Sequence, residues 1–245
     1  MSMEPETCPG CGRHNYCACK STQTEPPPHR RSDPAAERIG DWKQTFTGRK
    51  FWPRDPRPEE IYIEDIAHSL SLQCRYTGHV RRFYSVAEHS LRVSEWVTGC
   101  GREMALWGLL HDAAEAYLGD MSAPLKHGSR LGDEYKKLER PLQRMICEKY
   151  GLSPEKPPDV READKILLCW EKRDLMGPGP ELWVQETPGR LRVLPKEIII
   201  PLSSDTAERT FLNRFKGLTR LPVNLPGYSL TPLTPAAIAL SRAAT

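Results

Sequence analysis

The sequence predicts an all-α domain, a bundle of about six helices, and two observations support this fold class. Apolar residues recur at helical spacing in six separate segments, most of which carry helix start or stop signals. With 245 residues, 38% of them hydrophobic, the chain can form one sizeable core plus tails. Short amphipathic helices of this kind bury their apolar faces against one another. The predicted helices lie within 61–74, 85–97, 102–119, 133–151, 158–176 and 204–218.

The first three helices follow from their ends and their apolar faces. The first, within 61–74, has acids near its N-terminus, where they favour the helix dipole. In the second, Ser85 is placed as the N-cap and Glu88, three residues later, completes a capping box. The third helix ends at Gly119, a residue type that favours the C-terminal cap.

The later segments contain three more helices and one non-helical stretch. The fourth helix is amphipathic, and Pro141 predicts a kink or a restart within it. The fifth turns Val160 and Leu167 inward, and the sixth has Phe211 and Phe215 in its apolar stripe. Two β-rich runs flank the turn sequence TPG near 182–200, which predicts a small β-hairpin there.

Composition divides the chain into three regions. Residues 1–34 are rich in Cys and then in Pro, with almost no aliphatic residues, and are predicted to be mostly disordered. Residues 35–218 hold nearly all of the periodic apolar pattern and form the predicted domain. Residues 219–245 contain four prolines and no acid, which predicts a flexible tail.

Charge and hydropathy exclude several classes of protein. The net charge of +3 gives no electrostatic argument for binding nucleic acid or a membrane. Residues 1–20 lack the apolar stretch of a signal peptide, and no apolar run approaches the roughly twenty residues of a membrane span. We therefore expect a soluble cytoplasmic protein whose scattered cysteines are reduced.

The helices also carry polar residues on faces that are predicted to be buried. In LLHDAAEAYLGD, His111 and Asp112 lie four and three residues before Glu115, so a helix would place their side chains together. His89 and Asp164 occupy inward positions of two other helices. Burial of such groups is costly unless a cation compensates them. Imidazole and carboxylate suit Mn, Fe, Co or Zn and are adequate for Mg.

These positions predict a site for one divalent metal that leaves room for water and a substrate oxygen. Glu115 is placed to orient or deprotonate that water, and Asp120, at the end of the same helix, to protonate a leaving oxygen. The predicted ligands are His89, His111, Asp112 and Asp164.

The same residues resemble the motifs of the HD-domain metal-dependent phosphohydrolases. The segments AEHSL, LLHDAAEAYLGD and EADKI follow that family's order. The pattern H-D-x-x-E-x-x-x-x-D is similar to that of the small 5′-deoxynucleotidases. The stretch IYIEDIAHSLSLQCRYTGHVRRFYSVAEHS is similar to their phage-type branch, some of whose members remove phosphates from deoxynucleoside triphosphates, notably dATP. The resemblance covers roughly residues 45–218.

The resemblance implies an HD-domain helical bundle and the division of roles given above for the ligands and the two acids. It implies a metal-dependent phosphohydrolase that removes phosphate from deoxyribonucleotides, as a 5′-nucleotidase, a small triphosphate phosphohydrolase or both, in nucleotide-pool control. The implied partner is a small deoxynucleotide rather than nucleic acid, and small HD enzymes often form homo-oligomers. The implied compartment is the cytoplasm, or the host cytoplasm if the protein is phage-encoded.

Four residues are candidates for contacting this substrate. Arg75 and His79, in CRYTGHVRR, and Lys126, just after Asp120, supply positive charge for phosphate. The resemblance favours Arg75 and Lys126. Tyr76 has two interpretations, stacking on a base or packing in the core.

The segment CPGCGRHNYCAC has two interpretations. Its cysteines are enough for one structural zinc ion, which would then have to fold a segment without a core. Otherwise it is a Cys-rich tail without metal. An alternative function follows from the first interpretation, namely an HD scaffold that binds metal and nucleotide and acts as a sensor or nucleic-acid adaptor through this head. The candidate zinc ligands are Cys8, Cys11, Cys17 and Cys19.

Overall fold

The fold is given by a computed structural model that describes residues 38–223. The predictions for residues 1–34, including the cysteine cluster, and for all of the tail beyond residue 223 lie outside the described residues. The chain divides into two units, Met1–Arg38 and Ile39–Thr245, and every element below belongs to the second.

The described residues form a mostly helical domain, which confirms the predicted all-α class. Six of its helices have nine residues or more, and these match the six predicted segments. Three short helices and three 3₁₀ turns connect them. In chain order the α-helices are α1 Ile63–Leu72, α2 Val86–Trp96, α3 Arg102–Leu110, α4 Glu115–Leu118, α5 Ala123–Lys126, α6 Arg130–Lys149, α7 Pro158–Leu175, α8 Pro188–Arg192 and α9 Ser204–Thr219. The 3₁₀ turns are Pro58–Glu60, Arg75–Gly78 and Thr98–Cys100.

A small antiparallel hairpin accompanies the helices, but it does not lie near 182–200, where the sequence predicted one. Its strands are β1, Lys43–Gln44, and β2, Lys50–Phe51. The segment TPG instead begins helix α8. Thr187 is the N-cap, whose hydroxyl accepts from the Arg190 N–H at 3.4 Å, and Pro188 follows as the first helical residue. Thr followed by Pro is a helix-start signal, and this signal explains why a helix forms here instead of the predicted hairpin turn.

The predicted helix over 102–119 is interrupted. Helix α3 ends at Leu110, and residues 111–114 form tight turns before α4 begins at Glu115. The backbone bonds here join residues three apart, from the Ala113 N–H to the Leu110 carbonyl and from the Glu115 N–H to the Asp112 carbonyl, both 3.0 Å. Such turns are tighter than an α-helix, so they change the directions of the side chains that follow α3. Helix α6, in contrast, continues through Pro141.

The core lies between helices α1, α2, α3, α7 and α9, with α2 packed against all four others. Its largest fully buried side chains include Trp107 on α3 and Phe211 and Phe215 on α9. Because α2 is central and α7 packs against α2 and α3, polar residues on the inner faces of both helices lie inside the domain. Within the described residues, no helix combines the length and the apolar character needed to cross a membrane.

Helices α2 and α3 approach closely at Gly108, which leads to a prediction about stability. A Cβ atom at Gly108 would lie 2.9 Å from both the Cα and the N of Ser94, so the two helix backbones would have to move apart. We expect Gly108→Ala to lower the free energy of unfolding by about 1 to 3 kcal/mol, the usual cost of overpacking a core. Urea denaturation of the purified variant measures this change.

Gly99→Ala is the matched control, because a Cβ there meets nothing within 4 Å. It is expected to unfold at nearly the same urea concentration as the wild type. Equal stability of the Gly108 and Gly99 variants would contradict the close helix contact.

Candidate metal centre

The four predicted metal ligands converge from three parts of the fold. His89 lies on α2, His111 and Asp112 lie in the turn after α3, and Asp164 lies on α7. The Nε2 atoms of His89 and His111 are 3.2 Å apart. An Asp112 oxygen lies 3.1 Å from Nε2 of His111, and an Asp164 oxygen lies 3.3 Å from Nε2 of His89.

These separations fit donor atoms around one ion. For metal–ligand bonds of about 2.1 Å, neighbouring donors lie about 3.0 Å apart at right angles and about 3.4 Å apart at the tetrahedral angle. His89, His111 and Asp112 form a group that could hold a metal ion, and Asp164 approaches both imidazoles, at 3.3 and 3.9 Å. The two histidines are buried, whereas the carboxylates are partly exposed, which leaves the centre accessible from one side.

Hydrogen bonds fix both imidazole rings with Nε2 toward the centre. Nδ1 of His89 is 2.6 Å from a Glu171 oxygen, and Nδ1 of His111 is 2.7 Å from the Gly108 carbonyl. Because both partners only accept, each Nδ1 carries the proton and donates it. The Nε2 atoms and the carboxylates therefore meet as acceptors at one point, and a cation or a proton satisfies them. This outer arrangement is typical of metal-binding histidines.

The electrostatics of the centre favour positive charge. Burial and Arg75 lower the pKa of His89, but Glu171 and Asp164 outweigh them and raise it to about 9. Burial lowers the pKa of His111, which keeps that imidazole neutral as metal binding requires. A proton on His89 and a metal ion would thus compete for the same place.

The two predicted proton-transfer acids lie beside the centre. Glu115 is buried at the start of α4, and its Oε2 has no hydrogen-bond partner among the described residues. Burial raises the pKa of Glu115 well above its usual value, and the charges of Asp112 and Asp120 raise it further. Burial also raises the pKa of Asp120, which follows Gly119 and whose N–H donates to Gln73 at 2.9 Å. Both groups are therefore suited to hold or accept a proton.

The four predicted substrate-binding residues differ in their positions. Arg75 is buried, with Nη1 3.8 Å from an Asp112 oxygen, and Lys126 has Nζ 3.4 Å from Glu115 and also pairs with Glu139. Tyr76 is half-buried beside Trp183, with ring centroids 5.9 Å apart. His79 is exposed after the Arg75–Gly78 turn, and among the described contacts none joins its side chain to the centre.

Two residues that the sequence analysis missed support the ligands. Lys156, in the loop before α7, donates to the second oxygen of Asp164 at 2.9 Å. Glu171, fully buried on α7, accepts the hydrogen bond of His89. Burial would raise the pKa of Glu171, but Arg75 and His89 lower it to about 2, so the residue is a carboxylate. Its position seven residues after Asp164, on the same helix face, is the signal that could have identified it.

Sequence comparison places the chain beside two other proteins. No protein-family model matches it. The uncharacterized protein YfdR of Escherichia coli strain K12 is 39% identical over 180 residues, which cover 73% of this chain and 96% of YfdR. The uncharacterized protein RCAP_rcc00048 of Rhodobacter capsulatus is 38% identical over 130 residues, which cover 51% of this chain and 65% of that protein. With this identity over nearly the whole of YfdR, the chain belongs to the YfdR family.

Proposed function

We propose that the protein is a metal-dependent phosphohydrolase of the HD type, which removes phosphate from deoxyribonucleotides. One observation carries the proposal, namely that two histidines and two aspartates from three segments converge within 3.1 to 3.9 Å beside a buried glutamate. The two Nε2 atoms and the carboxylate oxygens that face them are acceptors that one cation would satisfy together. The resemblance of these segments to the HD motifs supports the same activity.

The residues that would hold the metal are His89, His111, Asp112 and Asp164. When bound, such an ion lowers the pKa of a water molecule and polarises a phosphoryl oxygen. The chain itself keeps both imidazoles in the required tautomer through Glu171 and the Gly108 carbonyl. Lys156 restrains the second oxygen of Asp164, so that only one oxygen of this carboxylate faces the centre.

Glu115 is assigned as the general base. Its Oε2 atom is buried and without a partner among the described residues, so this oxygen is available to accept a proton from water. Burial raises its pKa, which makes the carboxylate a stronger proton acceptor. Lys126, at 3.4 Å from Oε1, restrains the other oxygen.

Asp120, Arg75 and Lys126 are assigned to the substrate. Asp120 has a raised pKa and would deliver a proton to the leaving oxygen. Arg75 offers a planar guanidinium beside Asp112, suited to two phosphate oxygens, and Lys126 supplies a point charge beside Glu115. Tyr76, half-buried next to Trp183, is placed where an aromatic face could meet a base.

The decisive experiment is a substrate panel. Purified protein with Mn²⁺ or Co²⁺ is incubated with the deoxynucleoside mono- and triphosphates and with the ribonucleotides. We expect phosphate release from deoxynucleotides that a chelator stops and added metal restores. Analysis of the products separates release of a single phosphate from release of a triphosphate. Tight nucleotide or nucleic-acid binding with no phosphate release from any substrate would refute the enzymatic activity and favour the alternative, an HD scaffold that acts as a sensor or nucleic-acid adaptor.

A further inference from the structure

One buried carboxylate joins the metal centre to the turn that carries Arg75. Glu171 is 0% exposed, and each of its two oxygens accepts two hydrogen bonds. Oε1 lies 2.6 Å from Nδ1 of His89 and 2.9 Å from the hydroxyl of Tyr84. Oε2 lies 2.5 Å from the hydroxyl of Tyr76 and 3.2 Å from Nε of Arg75. Four donors fill the acceptor positions of one carboxylate.

The turn at Arg75–Gly78 has an unfavourable backbone. Tyr76 and Thr77 have φ values of +56° and +54°, in the left-handed region that side chains with a Cβ disfavour. Gly78 follows with a φ of +82°. Such a conformation persists only where surrounding contacts enforce it. Two of those contacts are the bonds of Arg75 and Tyr76 to Glu171.

The two halves of this network constrain each other. A metal ion on Nε2 of His89 would restrain the ring further, and the ring restrains Oε1 of Glu171 through the bond at Nδ1. Since the carboxylate is rigid, fixing Oε1 also fixes Oε2, to which Tyr76 and Arg75 bind. The carboxylate thereby transmits the position of a metal ligand to the strained turn.

We infer that Glu171 is a positioning residue that couples metal binding at His89 to the conformation of the Arg75–Gly78 turn. The metal should therefore stabilise the turn, and an intact turn should strengthen metal binding by the same factor, because such coupling is reciprocal. The inference rests on the metal centre of the proposed function, but it does not depend on which substrate is hydrolysed.

The test compares the full-length wild type with Glu171→Gln, which keeps the shape of the side chain but removes its charge and half of its acceptors. Mn²⁺ affinity is measured by titration, and hydrogen exchange of residues 75–80 is measured with and without Mn²⁺. We expect the wild type to bind Mn²⁺ and to exchange more slowly in this segment when Mn²⁺ is bound. The variant should bind Mn²⁺ about 10- to 100-fold more weakly. It should also show no metal-dependent slowing when Mn²⁺ saturates it.

Two further variants make the test specific. Glu208→Gln is the matched control, because Glu208 is another buried carboxylate that holds a histidine, with 3.1 Å to Nδ1 of His68. It is expected to leave Mn²⁺ affinity and exchange in 75–80 unchanged. Tyr76→Phe removes only the hydroxyl that bonds Glu171 and should reduce the metal-dependent slowing even if Glu171→Gln fails to fold.

The outcomes separate this inference from the proposed function. If Glu171→Gln or Tyr76→Phe keeps wild-type affinity together with the metal-dependent slowing, the coupling is refuted while phosphate hydrolysis can stand. A wild type that binds Mn²⁺ but shows no slowing in 75–80 also refutes the coupling alone. Absence of Mn²⁺ binding by the wild type would overturn both.

Discussion

Replacement of Asp112 by Ala is expected to abolish metal binding and, with it, phosphate release. The Asp112 carboxylate lies 3.1 Å from Nε2 of His111 and 3.8 Å from Nε2 of His89, so it is a member of the donor set itself. Loss of a direct ligand should weaken Mn²⁺ binding by more than about 100-fold, the upper end of the effect of outer partners. Titration with Mn²⁺ and a phosphate-release assay measure the two losses.

Asp133→Ala provides the control for this change. Asp133 is an exposed acid on α6, with 67% of its side chain accessible and an ion pair to Lys136. Its removal changes the net charge by the same amount, so equal loss in both variants would point to a general effect of charge. Turnover that survives in Asp112→Ala would remove this residue from the metal centre.

Replacement of Glu115 by Gln is expected to leave metal binding intact but to remove most of the phosphate release. Glutamine has nearly the same shape, so the buried space stays filled, but its amide cannot accept the proton that Oε2 of Glu115 is placed to take. The expected fall in kcat is about two to four orders of magnitude, the contribution typical of a general base. Mn²⁺ affinity should change little, because Glu115 is not one of the assigned ligands. Steady-state kinetics together with Mn²⁺ titration distinguish these effects.

Glu139→Gln distinguishes the loss of the general base from an effect on its neighbour Lys126. Both carboxylates contact the Lys126 ammonium, but only Glu115 has a fully buried oxygen without a partner among the described residues. We expect Glu139→Gln to lose far less of kcat than Glu115→Gln. If both lose the same amount, the effect comes from Lys126 and the assignment of the base is wrong.

Local patterns were sufficient for the six long helices and for the inward positions of the candidate ligands. Periodicity placed His89 on the inner face of α2 and Asp164 on that of α7, and the structure brings them to 3.3 Å. Capping residues predicted where α2 begins, and Ser85 does accept from the Glu88 N–H, at 3.1 Å. Helix faces and caps depend on residues a few positions apart, which is why one sequence reveals them.

Other features depend on contacts across the chain and were not predicted. Residues 111–114 form tight turns, although their sequence is equally compatible with an uninterrupted helix. Glu171 looked like an ordinary charged residue, because its four donors come from segments 82 to 96 residues away. Thr187 carried two incompatible signals, a turn and a helix start, and only packing decided between them. In the structure Arg190 of α8 reaches Glu162 on α7, a contact that helps to hold the short helix.

The close helix crossing at Gly108 has a consequence beyond stability. The missing methyl group lets α3 approach Ser94, and the carbonyl of the same residue orients the His111 ring at 2.7 Å. The distance between the imidazoles of His89 and His111 therefore depends on how closely the backbones of α2 and α3 approach each other. In Gly108→Ala, a stabilising substitution elsewhere could restore the melting temperature without restoring the expected affinity for metal. The absence of a side chain at Gly108 thus matters both for stability and for the position of His111. A distant substitution could restore only the stability.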